Sequence, residues 1–123
     1  MKKVLIYVCS CHSWVDIVRD TFSRADPSVM FITFNHFDLA EEGLKRLVSG
    51  ENNVTLLVDC CVENADINPT EDGTAWAVKM KAEYRLSLKV AVLLLDNLFC
   101  GLEFFTKENF SENREKLVAF VAK

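Results

Sequence analysis

Val4–Val8, Val54–Val58 and Val90–Leu95 are short runs with almost no polar residue and no alternation of apolar with polar positions. A strand with one face in water alternates; a strand covered on both faces does not. These runs therefore read as inner strands of a parallel sheet clothed by helices on either side. Ser28–Phe34, rich in Val, Ile, Phe and Thr, and the short Glu103–Thr106 supply two more strands. Helical patterns lie between them. Ser13 is placed to cap a helix that carries Trp14, Ile17, Val18 and Phe22 on one face and ends before Asp26 and Pro27. Asp38 and Glu41 have the spacing of a capping box, and Leu44, Leu47 and Val48 continue that helix to Gly50. Ala75, Val78 and Ala82, widened by Trp76 and Met80, line a third helix; Ser111 opens a last one through Leu117, Phe120 and Val121. Glu63–Gly73, with its Asn, Asp, Pro and Gly, reads as a loop.

Strands alternating with amphipathic helices imply right-handed crossovers, hence a doubly wound α/β domain with a five-stranded parallel sheet. One link breaks the pattern. Only Asp96–Leu102 separate the fourth and fifth strands, too few for a helix and its two turns, so helix four is expected to be shortened or missing. Two arrangements follow: a fifth strand parallel to the fourth after one compressed turn, or an antiparallel edge hairpin. The first leaves part of one sheet face uncovered, and Leu98 and Phe99 are the residues expected to cover it or to meet a partner or a second copy of the chain.

With 123 residues, half of them hydrophobic, the chain is the size of one domain, 1–123, with enough apolar side chain for one core. A net charge of −4 with no Lys/Arg cluster argues against nucleic-acid binding. The five apolar residues after the two N-terminal lysines are too few for a signal peptide or a membrane span, which points to a cytoplasmic protein. The five cysteines, Cys9, Cys11, Cys60, Cys61 and Cys100, are odd in number and lack the spacing of a disulfide framework or a zinc knuckle, so reduced, mostly buried thiols are expected. His12 and His36 are isolated, and Asp66–Gly73 does not keep the glycine and glutamate positions of a calcium loop.

Asp59 is a charge placed directly after an apolar strand, and Val54–Asp59 resembles the third strand and phosphoacceptor aspartate of a response-regulator receiver domain, a flavodoxin-like fold. Asp72-Gly73 is similar to that family's aspartate-glycine pair before helix three. Gly101–Lys107 looks like its glycine-led fifth strand ending in threonine-lysine, followed by Phe110 and Ser111. The likeness covers nearly the whole chain and favours the parallel fifth strand, which alone brings Lys107 to the edge where Asp59 lies. It implies Asp59 as candidate phosphoacceptor and Lys107 as candidate phosphate-sensing cation. It also implies a protein partner such as a sensor kinase or downstream signalling protein, with no membrane and no enzymatic output, since the chain ends with the last helix.

The departures are as informative. Receivers carry an acidic pair after the first strand to hold magnesium; here stand Cys9, Ser10 and Cys11, leaving Asp59 as the one obvious acidic ligand, so no cofactor is expected and magnesium binding is unfavourable. Asp16 reads as a surface charge. Leu95 or Asp96 replaces the family's hydroxyl residue, Glu108 its usual proline, and the segment from Asp59 to Gly73 is longer than usual. Asp59 is thus either a phosphoacceptor or a vestigial strand-end carboxylate whose ion-pair partner is Lys107. An alternative resemblance is to the phosphocysteine loop of phosphotransferase-system IIB proteins, with Cys9 at a helix N-terminus where the dipole lowers a thiol pKa. The low-molecular-weight phosphatases need an arginine six positions after their cysteine; Val15 and Ile17 stand there, which excludes them.

Overall fold

A computed structural model of the chain describes residues 2–59, 61–64, 68–94 and 101–123, with the backbone alone between 61 and 72. Its main sheet contains β1 (Lys2–Val8), β2 (Met30–Phe34), β3 (Asn52–Asp59), β6 (Lys89–Leu94) and β7 (Glu103–Thr106), in the order β2-β1-β3-β6-β7. Every pairing is parallel. The fifth strand of that sheet, β7, lies beside β6 with Ala91 opposite Glu103 and Leu94 opposite Thr106, so the parallel alternative is the one adopted. The path through 95–100 lies outside the described residues, and with it Leu95, Asp96, Cys100 and the expected contact residues Leu98 and Phe99.

Two cores sandwich the sheet. Even-numbered residues of β1 and β3 (Val4, Ile6, Val8; Val54, Leu56, Val58) pack under α2 (Phe37–Val48) and α3 (Gly73–Tyr84). Odd-numbered ones (Leu5, Tyr7; Leu57) pack under α1 (His12–Ala25) and α4 (Phe110–Ala122). Burying both faces is what the non-alternating runs required.

Five local expectations are corrected. The segment read as a loop forms a two-stranded antiparallel hairpin, β4 (Cys61–Asn64) and β5 (Asn68–Asp72), with Val62 opposite Glu71. A connection that long satisfies its backbone polar groups by pairing with itself. Ser13 does not cap α1, which begins at His12 behind Cys11; the Val15 amide closes the first turn on the Cys11 carbonyl at 3.1 Å. Asp38 lies inside the first turn of α2 behind His36, and Glu41 reaches across to α3, accepting a 2.9 Å bond from Trp76 Nε1, instead of back to its own helix. In α3 the buried side chains are those of Trp76, Ala77 and Met80, while Ala75, Val78 and Ala82 are exposed. A helix has one inner face, and the Trp76 indole takes it by stacking on Phe37 at 4.6 Å. Ile17 likewise turns outward, and Val15 and Thr21 join Val18 and Phe22 against the sheet.

Gly73 positions the next element for a steric reason. A Cβ there would sit 2.0 Å from the Asp59 carbonyl oxygen, so only glycine lets α3 start this close to the end of β3.

Candidate functional site

Register places the site. Val8 lies opposite Val58, so Cys9, one residue past β1, stands beside Asp59 at the carboxyl edge. Tyr7, Cys9 and Asp59 share the odd parity that faces α1 and α4. Lys107 follows β7 and is fixed there by its amide, which donates to the Leu94 carbonyl at 2.7 Å.

These residues converge on one oxygen. Lys107 Nζ is 2.8 Å from Asp59 Oδ2. The Tyr7 hydroxyl and the Cys9 thiol each donate to the same Oδ2 at 3.3 Å. Asp59 is 2% exposed and the Lys107 side chain 14%, so the pair is largely out of water and each charge depends on the other. Lys107 Nζ also lies 5.2 Å from the centroid of the Trp14 ring, which meets Phe110 edge-on at 5.4 Å. Thr106 is buried before it, its hydroxyl 3.4 Å from Asn113 Nδ2.

Burial and the neighbouring Asp59 charge push the Cys9 thiol up to about 11, against the influence of the adjacent Tyr7 phenol and a hydrogen bond from the Cys11 amide that act the other way. Burial, with Cys9 and Asp59 adding to it, also raises the Tyr7 phenol well above its ordinary value. Both are neutral donors at neutral pH. The helix-terminus lowering expected for Cys9 is outweighed because the thiol is 3% exposed and next to a carboxylate. A protonated, buried thiol is a poor nucleophile, which removes the support for a phosphocysteine. Cys11 is exposed; Cys60 and the side chain of Cys61 lie outside the description, as does the side chain of Asp72.

Two participants escaped the sequence reading. Tyr7 is the only residue in Val4–Val8 with a polar tip and shares parity with Cys9, a signal that was there to use. Trp14, placed by the sequence only on the apolar face of α1, is half-buried over Lys107; its role depends on the angle at which α1 crosses the sheet, which no local pattern encodes.

A doubly wound sheet with its polar cluster at the carboxyl ends of the central strands defines a class of α/β domain whose sites lie there. No family model and no curated protein matches the chain. Solved structures do. It is similar to the isolated REC domain of RcsB from Salmonella enterica serovar Typhimurium determined with the phosphomimetic BeF3-, with a TM-score of 0.74 and 15% identity over 97% of this chain and 87% of that one. It is similar as well to the Salmonella typhimurium RcsB response regulator, with a TM-score of 0.74 and 16% identity over 99% of this chain and 61% of that one. The chain has the fold of a response-regulator receiver domain.

That fold implies magnesium at this edge, and the residues present do not fit it. Magnesium takes oxygen lone pairs in octahedral array, whereas Asp59 Oδ2 faces an ammonium and two X–H donors. Asp16, the next acidic residue after β1, pairs with Arg19 at 3.2 Å on the exposed face of α1. Among the described residues no three His, Cys, Asp or Glu side chains gather as a metal site, and no helix is long and apolar enough to cross a membrane.

Proposed function

We propose that this chain is a cytoplasmic, atypical receiver-like signal-transduction module that acts by protein–protein interaction, with a sensor kinase or a downstream signalling protein as partner, and with its state held at Asp59. The receiver fold supports the signalling role. The observation that carries the atypical part is the 2.8 Å contact of Lys107 with a 2%-exposed Asp59 already engaged by Tyr7 and Cys9. Phosphoryl transfer to a carboxylate needs that oxygen free to attack and the incoming charge neutralised. Here the nucleophile is engaged, and the Lys107 ammonium is already spent on it.

The test is intact mass after incubation with acetyl phosphate and magnesium, followed by hydroxylamine. No phosphoryl adduct is expected. A hydroxylamine-labile adduct lost in Asp59→Asn would overturn the proposal in favour of a phosphorylated switch, and an adduct lost in Cys9→Ser would overturn it in favour of a phosphocarrier.

A further inference from the structure

We infer that the Asp59 site carries its own cation: Lys107 fills the place beside Oδ2 that a divalent ion would need, and Cys9 is the residue that makes this arrangement the stable one. The inference deepens the reading above and takes from it the importance of the site, while its geometry stands alone.

The first argument is charge. Asp59 and Lys107 form an ion pair 2.8 Å apart and mostly buried. A dication brought to the same oxygen would face the Lys107 ammonium across a low-dielectric gap, and the repulsion opposes its entry. The second is donor chemistry. The remaining groups on Oδ2, the Tyr7 hydroxyl and the Cys9 thiol, approach with hydrogens toward the carboxylate, so their lone pairs are not presented to a metal. The third is that Lys107 is lodged: its amide is tied to Leu94 and its ammonium lies over Trp14, so it is no mobile surface lysine that an ion could displace freely.

Position 9 decides the balance. The thiol sits 3.3 Å from Asp59 Oδ2, and a carboxylate in its place would set two anions against one ammonium. That excess is what recruits a hard dication. Deleting Lys107 creates the same excess from the other side.

The test is thermal unfolding of the full chain in magnesium chloride against sodium chloride of equal ionic strength, for wild type, Asp59→Asn, Cys9→Asp and Lys107→Met. Equal midpoints are expected for wild type and Asp59→Asn. Cys9→Asp and Lys107→Met are expected to show midpoints that climb with magnesium alone, as a ligand that binds only the folded state requires. A wild-type midpoint that rises with magnesium and stops rising in Asp59→Asn overturns the inference. So does a pair of folded variants that gain nothing from magnesium. If neither variant folds, the wild-type comparison decides by itself. An acyl phosphate in the mass experiment would change the functional reading and leave this comparison of salts untouched, so the two fail separately.

Discussion

Thr55 and Asp59 lie on the same strand, on the same face, four residues apart, and both are closed to water, at 0% and 2% exposure. Their polar atoms have opposite fates. Asp59 Oδ2 meets an ammonium, a phenol and a thiol. The Thr55 hydroxyl has no hydrogen-bond partner among the described residues. Position along the strand makes the difference. Asp59 ends β3, where the chain leaving β1 and the chain leaving β7 can both bring a side chain. Thr55 is flanked in register by Leu5, which is apolar, and Lys89, whose Nζ is committed to the Phe120 and Val121 carbonyls at 2.8 and 2.7 Å. A parallel sheet offers polar company at its edges and little in its middle, which is why sites of this fold class lie at the edge.

The strongest way to break the contrast is to take the cation away from Asp59. Lys107→Met leaves a buried carboxylate without its cation and is expected to destabilise the fold by about 3 kcal/mol, read from urea unfolding. Asp59→Asn combined with Lys107→Met removes both charges and should recover more than half of that loss. A single-variant cost below about 0.5 kcal/mol, the range of ordinary surface changes, would mean that the pair is solvated and not buried.

A smaller effect separates the neutral donors from the charged pair. The Cys9 thiol, held up to about 11 from an ordinary 9.0, keeps its proton longer in the folded state than in the unfolded one. The stability this contributes is fully present below about pH 9 and is lost as pH rises through about 11. Tyr7, raised by the same burial, acts in the same direction at higher pH. Wild type should therefore lose stability between those limits more steeply than Cys9→Ala, by urea midpoints at matched ionic strength. Parallel curves would show that the thiol does not stay protonated against Asp59.

The contrast also explains what could be read in advance. The runs Val4–Val8, Val54–Val58 and Val90–Leu95 announced a doubly covered parallel sheet because continuous apolarity has few other uses at that length. Asp59 was legible because a charge closing an apolar run has to be accounted for, and Lys107 only through the resemblance of Gly101–Lys107 to the receiver family's fifth strand ending in threonine-lysine. The errors came where several residues could serve one role. Ser13, Asp38 and Glu41 are all competent at a helix start, yet Glu41 was drawn away by the Trp76 indole. Val78 lies outside the inner face of α3, which Trp76, Ala77 and Met80 occupy. Pairing within the hairpin between Asp59 and Gly73 depends on contacts between residues that are polar, turn-prone and without alternation, so nothing local marked it as strand. Thr55 left no signal either, since threonine is an ordinary strand residue whether or not its hydroxyl is bonded.

Thr55 therefore carries the smallest and cleanest test. Valine has nearly the same shape, is at least as well suited to a strand, and removes the hydroxyl that β3 buries without a partner among the described residues. The desolvation cost of that group is then no longer incurred, while packing against the neighbours under α1 and α4 is kept. Thr55→Val is expected to stabilise the fold by about 1 kcal/mol in urea unfolding, with the response of the Asp59 site to magnesium unchanged because the two side chains lie four residues apart along the strand and share no partner. A loss of stability would show that the hydroxyl is bonded in solution. The interior of the sheet would then satisfy its polar groups as fully as the edge does, and the distinction between Thr55 and Asp59 would be one of charge and not of position.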